Sequence, residues 1–389
     1  MRVKLKDIFD LQMGKTPSRS NLEYWNTTDY KWISIADLTK TSKYIFETKE
    51  YLSKSAIKDS GIKVIPANTV VMSFKLSIGK TAITKEDMYS NEAIMAFKDK
   101  HVINILPEYI FYLFKYKNWE EGSNKAVMGK TLNKATLSEI EVEICSIEKQ
   151  RQIVSILDKI MSSVDGRKQE LQLLDELIKV RFVEMFGDPV ANDKGWKMKP
   201  LLDMGKCKNG MNFHYDDSGV EISCLGVGDF KDLSVIDNTK KLSIVSLNEM
   251  PSEEYLLKDG DIVFVRSNGN KDLVGRSLAI YPGKLPTTFS GFCIRYRIHD
   301  DEITVPYLLR VLKMESMRKK MAGRGANIQN LNQQILGTLV IPVPPIELQN
   351  QFVDFVRAID KSKFDTMTFA PIYDIINLYL HTHFYQGRR

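Results

Sequence analysis

The feature of this sequence that most constrains its fold is an internal repeat with a period of 199 residues. Residues 132–160 align without a gap to residues 331–359 and share 9 identities in 29 positions. A chain that repeats itself in this way folds into two copies of one module. The identical positions are Leu132-Asn133, Leu137, Ile147-Glu148, Gln150, Gln152, Val154 and Ile160, which recur as Leu331-Asn332, Leu336, Ile346-Glu347, Gln349, Gln351, Val353 and Ile359.

Earlier segments of the two halves also correspond, at slightly shorter offsets. Because the offset drifts while the framework persists, the loops between matching segments differ in length. One scaffold can in this way carry two different binding surfaces. The matched pairs are Leu5 to Asp10 with Met198 to Asp203, Ala67 to Val71 with Asp259 to Val263, and Gly79-Lys80-Thr81 with Gly275-Arg276-Ser277.

Each half begins with a mixed part in which short apolar runs alternate with turn residues. The runs at 69–74 and 261–265 are rich in β-branched and aromatic residues and predict strands. Proline at the first helical position predicts short helices after Pro107 and after Pro306, at Tyr109–Tyr116 and Tyr307–Met314.

A long helix is predicted after the first mixed part. Residues 148–185 contain no proline and one glycine, Gly166, and the run stops at Gly187-Asp188-Pro189. Its apolar residues step by 3, 4 or 7, which is typical of a seam that needs a partner helix. The seam residues are Ile153, Ile156, Leu157, Ile160, Val164, Leu171, Leu174, Ile178 and Phe182, and those of the second copy are Phe352, Phe355, Val356, Ile359 and Phe364.

The predicted fold class is therefore α+β. Two homologous mixed α/β domains are separated by a long antiparallel two-helix coiled coil, and the repeat relates them by an approximate two-fold axis. The alternative is that the helices cap a globular core. The predicted divisions are 1–146 for the first mixed domain, 147–190 for the first long helix, 191–345 for the second mixed domain, and 346–389 for the second helix and C-terminal segment. Pro371 interrupts that second helix.

No motif for chemistry stands in the sequence. The Gly-Lys-Thr triplets at Gly14, Gly79 and Gly129 lack the glycine five positions upstream that a phosphate-binding P-loop needs. No Gly-x-Gly-x-x-Gly opens a helix, and the five histidines suggest neither a metal site nor a catalytic triad. We expect no catalytic residue, no metal and no cofactor in this chain.

Composition places the chain in a broad class without deciding its function. It has no apolar run of the roughly 20 residues that span a bilayer. Its four cysteines are far apart, so we expect a reduced cytoplasmic protein without disulfides or structural zinc. The net charge of +6 permits nucleic-acid binding but is shared by many proteins that do not bind it.

Basic, amide and hydroxyl side chains gather in loops of both mixed parts. Arg and Lys suit guanine edges, Asn and Gln suit adenine, and Lys and Ser suit phosphates. A solvated turn explains any one loop equally well, and only recurrence in both halves favours DNA. The candidate DNA-binding residues are Lys15, Thr16, Arg19, Ser73, Lys75, Lys80, Lys130, Lys208, Asn209, Arg266, Ser267, Asn268, Asn270, Lys271, Arg276 and Arg324.

Two further expectations concern single positions. Lys75 and Arg266 follow matching strands at roughly corresponding positions, which suggests a shared role. The aromatic residues Tyr24, Trp25, Trp32 and Phe46 either stack on bases or belong to the core, and the core is the commoner place for aromatic side chains.

The order and duplication of these segments resemble the specificity subunits of type I restriction–modification systems over nearly the full length. The similar segments are Gly14-Lys15-Thr16-Pro17-Ser18, Glu23-Tyr24-Trp25, Trp32 to Leu38, Val71 to Lys80, Ile262 to Asn270, and the junctions that start at Ile147 and Ile341. The resemblance implies that each domain reads one half of a split, asymmetric double-stranded DNA site and that the helices set the gap.

The resemblance also implies a division of labour among subunits. Two methyltransferase subunits that bind S-adenosylmethionine would dock on the helices, with up to two ATP-driven restriction subunits as further partners. The chain itself would be a non-catalytic DNA-binding subunit. A structural adaptor, whose mixed domains bind a non-DNA partner, is the alternative, and a self-contained DNA-modifying or DNA-cutting enzyme is a third.

Overall fold

The computed structural model describes residues 1–75, 77–119, 132–213, 217–230, 235–322 and 330–367. In this part of the chain two compact units form, Met1–Gln169 and Glu170–Met367. The division falls inside one long helix. The four-part division at 146, 190 and 345 stays a prediction.

Unit 1 is a mixed α/β unit of three sheets. A five-stranded sheet has the order β2-β9-β6-β7-β4, a three-stranded sheet has the order β5-β3-β8, and β1 pairs with β10. The strands are β1 Arg2–Lys4, β2 Phe9–Met13, β3 Tyr30–Ile33, β4 Tyr44–Ile45, β5 Glu50–Leu52, β6 Val70–Ser73, β7 Thr81–Thr84, β8 Tyr89–Ser90, β9 Ile94–Asp99 and β10 Glu141–Glu143. The helices are α1 Leu5–Ile8, α2 Ile35–Lys40, α3 Lys54–Ser60, α4 Pro107–Tyr116, α5 Lys134–Ser138 and the start of α6 Ile147–Phe186.

Unit 2 repeats this arrangement. Its sheets have the orders β12-β19-β16-β17-β14, β15-β13-β18 and β11-β20. The strands are β11 Lys197–Pro200, β12 Gly205–Asn209, β13 Val220–Leu225, β14 Val235–Ile236, β15 Ser243–Leu247, β16 Asp261–Val265, β17 Ser277–Ile280, β18 Thr287–Phe289, β19 Cys293–Ile298 and β20 Val340–Val343. The helices are α7 Val305–Lys313, α8 Glu315–Ala322, α9 Gln333–Gly337 and α10 Ile346–Met367.

The two units share pairing directions as well as strand order. β6 and β16 each run antiparallel to both neighbours, whereas β4 with β7 and β14 with β17 are parallel edge pairs. The two helices predicted after prolines are present as α4 and α7. The predicted duplication of an α+β module is confirmed.

Strand register corrects two of the sequence matches. Ser73 pairs with Ile94 on β9, and Val265 pairs with Cys293 on β19, so Ser73 and Val265 correspond. Arg266 therefore corresponds to Phe74, one residue before Lys75, and the predicted match of Lys75 with Arg266 is wrong by one position. One residue matters because successive side chains of a strand point to opposite faces.

The second correction concerns the start of each unit. The N–H of Leu5 donates to the Ile140 carbonyl and the N–H of Leu201 to the Leu339 carbonyl, both at 2.9 Å. Leu5 thus corresponds to Leu201, and the sequence match of Leu5 with Met198 is wrong by three positions. By contrast, the match of the segment at Ala67 with that at Asp259 is confirmed. The second residue of this segment has positive φ in both units, 57° at Asn68 and 84° at Gly260.

A buried glutamine explains the repeated motif at the start of α6 and α10. Gln150 and Gln349 are fully buried. Each amide oxygen accepts a backbone N–H before α4 or α7, and each amide nitrogen donates to two carbonyls, so the side chain joins three segments. The contacts are Leu106 N at 2.9 Å and the Asn104 and Cys145 carbonyls at 3.0 Å for Gln150, and Thr304 N and the Glu302 carbonyl at 2.8 Å with the Pro344 carbonyl at 2.9 Å for Gln349.

The helix α6 is 40 residues long and ends where the sequence predicts. Gly187 follows it at φ 74°, and its N–H donates to the Val183 carbonyl at 2.8 Å. Ile153 and Leu157 lie in the core of unit 1. Ile156 is 40% exposed, so its assignment to the apolar seam is wrong.

In unit 2 the end of α6 packs against α10. The rings of Phe182 and Phe352 lie 5.3 Å apart, and Lys363 Nζ lies 2.6 Å from Asp175 Oδ1. Lower α6 numbers meet higher α10 numbers, so these two segments run antiparallel. The side chain of Phe364, the interruption at Pro371 and the remaining C-terminal residues lie outside the described residues.

Two further observations concern the cysteine residues and the hydropathy of the helices. All four cysteines are free thiols, and those of Cys224 and Cys293 are buried. No helix within the described ranges combines the length and apolar character required to cross a membrane.

Candidate nucleic-acid interface

Three loops of unit 1 meet at one edge of its five-stranded sheet. We call them tip loops: the first is residues 14–19 after β2, the second is 74–75 and 77–80 after β6, and the third is 90–93 before β9. They meet because β9 lies between β2 and β6 and runs antiparallel to both. Backbone hydrogen bonds join them, from Gly14 N to the Ile94 carbonyl at 3.1 Å, from Lys15 N to the Ser90 carbonyl at 2.8 Å, and from Phe74 N to the Ala93 carbonyl at 2.9 Å.

Unit 2 builds the same tip from residues 210–213, 266–276 and 290–292. The equivalent hydrogen bonds are Gly210 N to the Cys293 carbonyl at 3.0 Å, Met211 N to the Phe289 carbonyl at 3.2 Å, and Arg266 N to the Phe292 carbonyl at 2.7 Å. The backbone framework of the tip is therefore duplicated, while its side chains differ between the units.

Glycine permits the close approach of the first and third loops. A Cβ on Gly14 would lie 2.2 Å from the Asn91 carbonyl oxygen, and one on Gly210 would lie 2.0 Å from that of Ser290. These distances are far inside van der Waals contact, so a larger residue would push the loops apart.

A second glycine pair closes the second loop. Gly79 and Gly275 have φ of 89° and 76° and donate their N–H to the last residue of β6 and of β16, at 3.0 and 2.9 Å. Five residues, 74–78, precede Gly79, and nine, 266–274, precede Gly275. The second loop of unit 2 is therefore four residues longer than that of unit 1.

Several candidate DNA-binding residues of unit 1 lie close to the carboxylate of Glu92. The Thr16 hydroxyl donates to its carboxylate, which lowers the pKa of Glu92, and the charges of Lys75 and Arg19 lower it further against partial burial. Thr16, Arg19 and Lys75, which are far apart in sequence, thus surround one acidic group. Sequence reasoning missed Glu92, because a lone glutamate in a turn carries no signal.

Arg19 is held by several partners. Its guanidinium lies 3.7 Å from the centre of the Trp25 ring, and Nη2 donates to Glu50 at 3.1 Å. Trp32 beneath it is 2% exposed and donates its indole N–H to the Lys15 carbonyl at 3.1 Å. The core interpretation of Trp32 is therefore right, whereas Phe46 is 56% exposed.

In unit 2 the second tip loop is stabilised by hydrogen bonds from its own side chains. Arg266 Nη1 donates to the Gly291 carbonyl at 3.3 Å. The amide oxygen of Asn268 accepts Asn270 N at 2.7 Å, and that of Asn270 accepts Asp272 N at 3.1 Å. These local bonds hold the amide side chains on a defined turn, beside the partly buried Ser267.

The comparisons with known proteins bear on this duplicated tip. A family model described as the type I restriction modification DNA specificity domain matches residues 1–176 and again residues 193–371. The chain belongs to the type I DNA specificity family.

Two curated relatives of this family member are informative. It is 28% identical over 228 residues to the MjaIX specificity subunit of Methanocaldococcus jannaschii, which is 54% of this chain and 52% of that protein. It is 24% identical over 351 residues to the StySPI specificity subunit of Salmonella potsdam, which is 84% of this chain and 74% of that protein. The chain thus spans about half the length of the first relative and three quarters of the second.

Solved structures share the fold of this family member. It aligns to a type I S subunit from M. genitalium with a TM-score of 0.53 and 14% identity, covering 100% of this chain and 96% of that one. A chain from a structural study of assembly and conformational transition in the type I R-M system aligns with a TM-score of 0.61 and 14% identity, covering 98% and 97%. These likenesses bear out the α+β layout.

Three of the candidate DNA-binding residues lie away from the tip loops or have a structural role. Ser73 is fully buried, and its hydroxyl accepts Lys80 N at 3.0 Å, so it closes the second loop. Lys208 lies within β12 and pairs with Glu254. Asn209 ends β12 and accepts a hydrogen bond from Gln333 at 3.3 Å.

Other candidate DNA-binding residues are either exposed or lie outside the described residues. Lys15 is exposed at the tip and donates to the Ser60 carbonyl, and Lys80 is exposed. Lys130 and Arg324 lie outside the described residues, as does the side chain of Lys271.

Sequence reasoning also missed a cationic cluster beside Arg276. Arg276 Nε donates to the Asp272 carbonyl at 3.3 Å, and Arg318 Nη2 donates to the neighbouring Val274 carbonyl at 3.3 Å. Burial lowers the pKa of Lys313 to about 8, and the charges of Arg310, Arg276 and Arg318 act in the same direction. These residues come from a loop and two helices, so no local pattern could bring them together.

Among the described residues, no group of His, Cys, Asp and Glu side chains is arranged to hold a metal ion.

Proposed function

We propose that this chain is the non-catalytic, sequence-reading subunit of a type I restriction–modification complex. Each unit would read one half of a bipartite, asymmetric double-stranded DNA site. The observation that carries the proposal is the duplicated tip: one backbone framework, held by equivalent hydrogen bonds, presents different polar side chains in the two units. Such an arrangement suits recognition of two different half-sites by one scaffold.

The chemistry of each tip supports this reading. In unit 2, Arg266 is of the type that contacts guanine, and Asn268 and Asn270 are of the type that contacts adenine. In unit 1, Lys75 and Lys80 are suited to phosphates or guanine. Lys15, Thr16 and Arg19 flank them, and Ser73 would act by positioning the loop.

The proposed partners are two methyltransferase subunits that dock on the helices α6 and α10 and supply S-adenosylmethionine chemistry. Up to two restriction subunits would join them. The match to a protein from a study of complex assembly in the type I system supports a multi-subunit setting. The helices would set the gap between the half-sites, and the complex would act in the cytoplasm on chromosomal DNA.

The experiment is a map of methylated adenines in cells that express the chain with its methyltransferase partner. Arg266→Ala should relax or abolish recognition at one half of the site and leave the other half unchanged, since a base contact is worth about 1–3 kcal/mol. The matched control is Lys320→Ala, an exposed cation on α8. A uniform loss across all sequences would make Arg266 a phosphate contact, and an unchanged map would remove it from the interface. Absence of any sequence-dependent methylation with the unaltered chain would contradict the proposed function itself.

A further inference from the structure

The third tip loop of unit 2 carries an aromatic side chain that neither the sequence motifs nor the fold accounts for. Phe292 is 60% exposed, although its neighbour Cys293 is fully buried. It precedes β19 and follows the turn at Ser290-Gly291. Exposure of more than half of a phenylalanine leaves apolar area in water, which is unfavourable unless something covers it.

The backbone of Phe292 is held on both sides. Its carbonyl accepts Arg266 N at 2.7 Å, and Cys293 N donates to the Ser290 carbonyl at 2.8 Å. Gly291 N donates to the Met211 carbonyl at 2.8 Å, which ties the turn to the first loop. The ring is therefore carried by a backbone that is fixed on the tip.

The fold does not require an aromatic residue at this position. The equivalent residue in unit 1 is Ala93, which is 8% exposed and whose carbonyl accepts Phe74 N at 2.9 Å in the same way. An alanine thus completes the same turn. The phenylalanine is therefore a feature of unit 2 that the shared backbone framework does not require.

The neighbours of Phe292 belong to the candidate base-reading group. The guanidinium of Arg266 donates to the carbonyl of Gly291, the residue before Phe292, at 3.3 Å. Ser267 N also points to the Phe292 carbonyl, at 3.4 Å. The residue that carries this ring is therefore joined by its backbone to an arginine of a type suited to a guanine edge.

We propose that Phe292 is a specificity-determining residue of unit 2 that packs against the C5-methyl group of a thymine in the major groove. The inference rests on the proposed function and names the base chemistry that one loop recognises. The thymine methyl is the apolar feature of the major-groove edges, and phenylalanine is among the side chains that contact it. Cytosine presents no methyl group at this edge, so the contact discriminates between the two pyrimidines.

The test uses the full chain in complex with its methyltransferase subunits. The target is first mapped by methylation, and each thymine of the unit 2 half-site is then replaced in turn by deoxyuridine, which removes the methyl group alone. For the unaltered complex, one replacement should weaken binding about fourfold, the effect of exposing one buried carbon. With Phe292→Ala, binding to the natural site should weaken about 5- to 150-fold, and the same deoxyuridine replacement should have no further effect.

Two controls keep the outcomes separable. Phe292→Leu retains an apolar side chain and should keep most of the sensitivity to deoxyuridine. Ile244→Ala removes another exposed apolar residue, on β15 outside the tip loops, and should change neither measurement. The unaltered complex reports on the methyl contact even if Phe292→Ala fails to fold.

Specific binding that is indifferent to every thymine methyl of the half-site would overturn the inference and leave the proposed function intact. An equal loss of specific and non-specific binding in Phe292→Ala would also overturn it. If the unaltered complex binds all DNA alike, the proposed function fails first.

Discussion

The fold places the ammonium group of Lys313 in an environment that disfavours its charge. It lies at the end of α7, largely buried, with the guanidinium groups of Arg276, Arg310 and Arg318 as charged neighbours. Burial disfavours the ammonium form and like charges disfavour it further, so the pKa of Lys313 falls to about 8. Perturbed groups of this kind are enriched at functional sites, and Arg276 belongs to the second tip loop.

The depressed pKa of Lys313 makes a prediction about stability. Below about pH 8 both the folded and the unfolded chain hold the proton, and the cost of a buried charge is fully present. Between pH 8 and the ordinary value of 10.5 the unfolded chain binds more protons, so the free energy of unfolding rises with pH. Replacement of Lys313 by Met should therefore stabilise unit 2 at pH 7, by roughly 2 kcal/mol, and this advantage should shrink by pH 10.

Urea unfolding of Lys313→Met at pH 7 and at pH 10 checks this expectation. Lys320→Met is the matched control, because Lys320 is exposed on α8 and its removal should change stability by less than about 0.5 kcal/mol. Destabilisation of Lys313→Met at pH 7 would show that the ammonium group is well compensated in the folded chain. A gain in stability with weaker DNA binding would instead identify a residue kept for function.

At the scale of elements, the starts of α6 and α10 are set by the same side-chain amide. Gln349 fills a fully buried position and joins the start of α10 to the segment before α7. The other repeated glutamine, Gln351, is exposed on the same helix. The repeated motif therefore contains one residue that holds the junction and one that faces solvent.

Gln349→Ala should destabilise unit 2 by about 2–4 kcal/mol, because it leaves a buried N–H and two carbonyls without their partner. Gln351→Ala removes the same chemical group two residues later and should cost less than about 0.5 kcal/mol. Chemical denaturation of the two variants measures the difference. Equal effects would mean that the buried junction contributes no more to stability than an exposed position of the same helix.

Elements were predictable to different degrees for physical reasons. The helices α4, α6 and α7 follow from proline positions, from the 3.6-residue period and from a Gly stop signal, all of which are local. Strand register could not be predicted, because partners such as Ser73 and Ile94 are distant in sequence. A shift of one residue changes which side chain faces the tip. The off-by-one match of Lys75 with Arg266 is an error of this kind.

At the scale of the whole molecule, the chain is one module used twice, with the same strand order and different loops. The proposed DNA ligand is compatible with this duplication, because the backbone of DNA is alike everywhere while its base edges vary. A net charge of +6 spread over the chain is compatible with such a ligand but does not identify it.

A DNA reader makes a prediction that the adaptor alternative does not. Affinity for DNA should fall linearly with salt on logarithmic axes, since about 0.9 counterions are released for each phosphate neutralised. Lys80→Gln, at the tip of unit 1, should reduce the slope by about one if Lys80 contacts a phosphate. Lys54→Gln on α3 serves as a control for the loss of an exposed charge. Affinity that does not depend on salt would favour the adaptor.

The sequence by itself determined the duplication, the α+β class, the long helix and the polar types that cluster in the loops. Repetition, helical period and proline positions are local signals that need no knowledge of distant contacts. Only the tertiary structure decided which loops meet, because the order β2-β9-β6 brings together strands that are not consecutive. It placed Glu92 and Phe292 on the tips, buried Ser73 and assembled the cluster around Lys313. Burial and strand pairing depend on the whole fold, so neither could be read from the loop sequences themselves.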